Sequence, residues 1–128
     1  MLEAGLSASI RLSVGDADTA PALGSGDVPV LGTPRLIALC EAATLAAVTG
    51  GLADGETSVG TRVEIDHLAP SPIGTEVTAT ATLDEADGDR LRFSVIVRDG
   101  DHTVAVGSIH RVIVDRQRFL RRLERDTS

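Results

Sequence analysis

Only one cysteine, Cys40, occurs in the 128 residues, so no intramolecular disulfide can form, and histidines at 67, 102 and 110 give no spacing that assembles a structural zinc site. Tryptophan and tyrosine are absent and phenylalanine occurs twice, which leaves no stacking platform for single-stranded nucleic acid. Lysine is absent as well. All twelve basic residues are arginine, set against nineteen acids for a net charge of −7, a balance that disfavours a phosphate backbone as partner. No stretch approaches the roughly eighteen uncharged apolar residues of a membrane span, and the opening MLEAGLSASIRLSV lacks the basic-then-apolar layout of a signal peptide. The sequence therefore predicts a cytoplasmic protein with neither nucleic acid nor membrane as partner, and no metal or other cofactor.

What is present is an ordinary globular composition, 42% hydrophobic and 24% charged, at a length that fits one domain over residues 1–128. Residues 7–14, SASIRLSV, alternate polar and apolar and predict an opening strand. Residues 15–32 carry Pro21, Gly24, Gly26, Pro29 and Gly32 with no helical period, and read as a long connection of the kind that often carries function. A helix follows over 31–48, with Thr33 as N-cap, Pro34 at the first helical position and Gly50–Gly51 as the stop. Between Leu36 and Val48 its only charged side chain is Glu41, so the helix is apolar all round and predicts burial.

Four strand-like runs come next, at 58–68, 75–83, 90–98 and 103–114, joined by turn chemistry at 70–74, 84–89 and Asp99-Gly100-Asp101. They predict an antiparallel meander with one dry face, Val77 to Leu83 and Leu91 to Val97 at every second position. The tail DRQRFLRRLERD predicts a short helix whose arginines snorkel around Phe119, Leu120 and Leu123. Residues 111–128 hold six arginines against three acids, so this end is +3 and the remainder −10. One helix apolar all round needs cover, and a single curved sheet of five or six strands supplies it. That sheet has an edge to protect, which predicts a symmetric dimer with an interface above about 2,000 Å².

Three residues stand out as carriers of chemistry. Glu41 is a carboxylate on an apolar helix, which demands a partner, a shifted pKa or both. The structural alternative is an ion pair with an arginine across the dimer interface, and the functional one a base or nucleophile in a low-dielectric cleft. His67 shares parity with Val59, Thr61, Val63 and Ile65, so if those face the helix it does too. A lone inward histidine is usually core, but with an inward glutamate it makes an acid/base pair tunable near neutrality. Thr33 caps the helix and lies about two turns, roughly 12 Å, before Glu41; it can orient a ligand or water where free amides also offer an oxyanion site. Cys40 reads as core packing, Asp66 and His110 as structural or solvent-facing, and His102 as solvated in a hairpin.

The helix LGTPRLIALCEAATLAAV, the segment GTRVEIDHLAPSPIG and the strand VGSIHRVIV together resemble the fluoroacetyl-CoA thioesterase family, a branch of the hotdog-fold acyl-CoA thioesterases. The likeness covers nearly the whole chain after residue 30. It implies an α+β hotdog fold, a long helix wrapped by an antiparallel sheet and dimerising, and hydrolysis of a small acyl-CoA by Thr33, Glu41 and His67. It also implies supporting, substrate-binding positions at Gly60 and Arg111, with coenzyme A entering as part of the substrate. The fluoroacetyl-specific members resemble one another in carrying aromatics ahead of and within the helix, whereas residues 15–48 here contain none.

Two rivals keep the fold. A non-catalytic acyl-CoA binding or sensing protein would retain the cleft without turnover. A hotdog hydratase typically pairs Asp and His five residues apart, and no such pair lies near this helix. Within the tail, Arg116, Arg118, Arg121 and Arg122 are the densest candidates for the phosphates of coenzyme A, against the alternative of a solvated basic face.

Overall fold

The computed structural model describes residues 2–127, and the side chains of residues 2–124. Five strands, β1 (Ser7–Ser13), β2 (Glu56–His67), β3 (Glu76–Asp87), β4 (Arg90–Asp99) and β5 (His102–Asp115), form one antiparallel sheet. Three helices accompany it: a single turn α1 (Ala20–Leu23), the long α2 (Thr33–Val48) and the terminal α3 (Arg116–Thr127). The sheet order is β1-β3-β4-β5-β2. The expected meander thus holds for β3, β4 and β5, but β2 lies at the far edge, paired with β5 and not with β3.

The connection between β2 and β3 explains this departure. Residues 68–75 are not a tight turn, because Pro70 and Pro72 have no N–H to offer a ladder. The segment instead crosses one end of the sheet, from β2 at one edge to β3, the strand beside β1 at the other. Leu68 N and Ala69 N donate to Val104 O, Leu31 N donates to Ser71 O, and Gly74 N donates to Val14 O beside β1. The same contacts fold the 15–32 connection over this end, and a 3.0 Å pair between Arg35 Nε and Asp18 Oδ1 ties it to the first turn of α2.

The dry face forms as the alternation predicts. Val77, Ala79, Ala81 and Leu83 on β3 and Leu91, Phe93, Val95 and Val97 on β4 are buried. Against them pack Leu36, Leu39, Cys40, Ala43, Thr44 and Val48 of α2. Each large buried side chain of this kind contributes about 1.5–3 kcal/mol.

Two expectations about α2 need correction. The cap is Gly32, with no side-chain cap bond, and Thr33 is the first helical residue, so its hydroxyl is free for another partner. The sheet also covers one side only: Ala38, Leu45 and Ala46 are exposed in the protomer, and Glu41 is half-buried rather than buried. Gly50 and Gly51 do end the helix, through a 3₁₀ turn at Thr49–Gly51.

Candidate active site

α2 and β2 run side by side in opposite directions, and this sets two contacts. At the start of α2, Thr33 Oγ1 lies 2.8 Å from His67 Nδ1 at the end of β2. Two turns on, the Glu41 carboxylate lies over Gly60, so close that a Cβ on Gly60 would stand 2.8 Å from Oε2. Only a residue without a side chain permits that approach.

Gly60 and His67 differ in parity along β2, yet both face α2. A bulge between Gly60 and Arg62 resolves this: Thr61 is an extra residue in the ladder with β5. Before the bulge Ser58 and Gly60 point inward; after it Val63, Ile65 and His67 do, opposite Ile109, Gly107 and Ala105. The parity argument for His67 is therefore correct back to Val63 and fails beyond it, because Val59 lies on the other face.

Directly across from Gly60 stands Arg111 on β5. It is 6% exposed, and three of its nitrogens are engaged: Nε donates to Ser58 Oγ at 2.8 Å, Nη2 to Ser58 O at 3.0 Å and Nη1 to Glu41 Oε2 at 3.4 Å. Burial lowers the Arg111 pKa, and the Glu41 carboxylate opposes that shift by charge and hydrogen bond. Glu41 thus has an arginine partner within its own chain, and Arg111 sits beneath the carboxylate rather than open to a ligand. Among the described residues Glu41 Oε1 makes no hydrogen bond, and its side chain is 37% exposed.

The His67 ring is held below the usual histidine pKa by desolvation, with the Ala69 carbonyl pulling the other way. It is therefore neutral at pH 7. Its Nε2 is buried without a partner among the described residues. In the tautomer that carries the proton on Nε2, the Thr33 hydroxyl donates to Nδ1. Thr33 and His67 line an open cleft of about 340 Å³ with Val28, Leu31, Gly32 and Leu68, walled by the 15–32 connection and the β2–β3 crossing. Glu41 lies outside that cleft, about 12 Å along α2 from Thr33.

Cys40 is buried and its thiol is pushed up to about 11, mainly by desolvation and further by Glu41, which makes it inert packing. Among the described residues no His, Cys, Asp and Glu group could hold a metal ion, and no helix is long and apolar enough to cross a membrane. Ser58 and the bulge were missed from the sequence. A glycine inside a strand was the available signal for the bulge; nothing in the sequence marked Ser58.

Comparison with known proteins shows the family and the fold. A family model described as fluoroacetyl-CoA-specific thioesterase matches residues 14–117. A fluoroacetyl-CoA thioesterase of Streptantibioticus cattleyicolor is 32% identical over 98 residues, 77% of this chain and 70% of that protein. A solved structure of the fluoroacetyl-CoA thioesterase FlK superposes with a TM-score of 0.93 at 26% identity, covering 100% of this chain and 99% of that one. A hot-dog-like protein from Thermanaerovibrio acidaminovorans follows at 0.90 and 25% identity, over 98% and 93%. A thioesterase superfamily member from Thermus thermophilus superposes at 0.87 and 26%, over 97% and 94%. With its hotdog sheet and helix, this chain belongs to the fluoroacetyl-CoA-specific thioesterase family.

Proposed function

We propose that the protein hydrolyses an acyl-CoA thioester, with Glu41, His67 and Thr33 as its catalytic residues. Family membership supports the reaction class. The observation that carries the choice of residues is the Glu41 carboxylate, fixed through Oε2 by Arg111 and left open at Oε1. A carboxylate so held adds an oxygen to the thioester carbonyl carbon, either its own or that of a water it deprotonates. The C–S bond then breaks with the departing sulfur accepting a hydrogen bond from His67 Nε2–H, the thiolate takes the proton that the water loses, and that water supplies the second oxygen of the acid. Thr33, donating to His67 Nδ1, holds the ring in the tautomer that this step needs.

Glu41 and His67 face two separate stretches of their own protomer, which favours a site shared between two copies. β2 is an edge strand whose residues 60–64 are all exposed. Two such edges paired antiparallel about a twofold axis between Val63 and Glu64 bring His67 of one subunit opposite Gly60, and so Glu41, of the other. The same dimer would cover the open side of α2. Gly60 and Arg111 then serve the substrate indirectly, by setting the carboxylate.

Thiol release from a panel of acyl-CoA esters tests the function. Turnover that is first order in enzyme is expected, with small acyl groups preferred. Binding of the same esters without thiol release would identify the non-catalytic acyl-CoA protein instead.

A further inference from the structure

Behind Glu41 lies a polar residue with no part in the reaction just described. Ser58 is 6% exposed, stands on β2 two residues before Gly60, and takes two of the three hydrogen bonds that Arg111 donates. We propose that Ser58 is a positioning residue for thioester hydrolysis, fixing the plane of the Arg111 guanidinium and through it the place of the Glu41 carboxylate. This rests on Glu41 being the carboxylate that acts.

The guanidinium is a rigid planar fork, so two bonds from Nε and Nη2 to one residue leave it no freedom to turn. The direction of Nη1 is then determined, and Nη1 is the nitrogen that reaches Glu41. That last bond, at 3.4 Å, is the longest of the three. It depends most on the plane being held. The carboxylate belongs to the helix and the guanidinium to the sheet, so the Ser58 hydroxyl sets how the two layers meet at the reacting group. Without it, Nε–H would be left buried and unpaired, and the guanidinium would rotate to recover a partner. Ser58 faces α2 because it precedes the bulge at Thr61, and the same bulge turns His67 toward α2.

Two Ser58 variants and one cycle test this. Ser58→Ala is expected to lower kcat about tenfold with KM within about twofold, the scale of one hydrogen bond to a charged group. Ser58→Thr, which restores the hydroxyl on a strand-compatible side chain, returns kcat to within about threefold of wild type. In an Arg111→Lys background, where no Nε–H exists, Ser58→Ala changes kcat by less than about twofold, because the two residues act as one unit. A readout that needs no turnover is the Arg111 Nε–H resonance, slow to exchange in the wild type and the Thr variant and lost in the Ala variant.

Unchanged kcat in Ser58→Ala, or an equal loss in both backgrounds, overturns the assignment and leaves Glu41 standing. A wild-type protein that releases no thiol from any acyl-CoA overturns the functional reading, and the Ser58 assignment with it.

Discussion

Arg111 decides which substitutions can separate chemistry from folding. It is a buried cation 3.4 Å from a carboxylate that is 37% exposed. Removing one partner of a buried pair typically costs about 3–5 kcal/mol, and the exposure of Glu41 discounts that figure. Glu41→Ala therefore risks the fold, whereas Glu41→Gln keeps an oxygen to accept from Nη1. His67 permits a test by titration. Its pKa lies below the ordinary 6.5 because the ring is desolvated. The unfolded chain takes up the proton first as pH falls, so the stability tied to a neutral ring is fully present above pH 6.5 and declines below it. Ring titration by NMR should give a midpoint under 6.5; one at or above 6.5 contradicts the desolvated ring. Glu41 and His67 were legible in the sequence because an ionisable group on an apolar background stands out. Arg111 under Glu41 was not, since that contact needs β5 beside β2, a pairing no local pattern encodes.

At the scale of elements, the bulged end of β2 depends on its neighbour. Gly107 on β5 lies opposite Ile65, and a Cβ there would stand 2.0 Å from the Glu64 carbonyl oxygen and 2.8 Å from Ile65 Cα. Backbone cannot yield as a side-chain tip can. Gly107→Ala is expected to push the 63–67 stretch away from β5, lowering stability by roughly 1–3 kcal/mol. It should also lower kcat, because His67 is two residues from the displaced pair. Thermal unfolding and thiol release measure both, and an unaltered melting temperature would contradict the close approach. The strands and α2 were readable from periodicity and turn residues, with ends within a few residues. Strand order was not, because Pro70 and Gly74 look like a hairpin turn while contacts with residues 14, 31 and 104 carry that segment across the sheet. Thr33 as cap failed for a related reason: Gly32 takes the capping place, and the Thr33 hydroxyl bonds to His67 instead.

At the scale of the whole molecule, the protomer leaves a long edge strand and one side of its central helix uncovered, both of which a twofold dimer would bury. A shared site makes a sharp prediction. Glu41→Gln and His67→Asn proteins, each inactive alone, should regain activity when unfolded and refolded together, because a mixed dimer holds one site with both residues intact. Activity no greater than that of either parent would place each site within a single subunit. This level was the least legible in the sequence: an apolar helix says that cover is needed, but no local pattern names the surface that supplies it.

The central claim is that the Glu41 carboxylate carries out the attack on the thioester, and the most direct test is thiol release by Glu41→Gln at saturating acyl-CoA. The side chain keeps its volume and its bond to Arg111 but can neither add to the carbonyl nor take a proton from water. The account predicts kcat at least 10²–10⁴-fold below wild type in a protein that stays folded. A variant within about threefold of wild type, a difference under 1 kcal/mol, would contradict it.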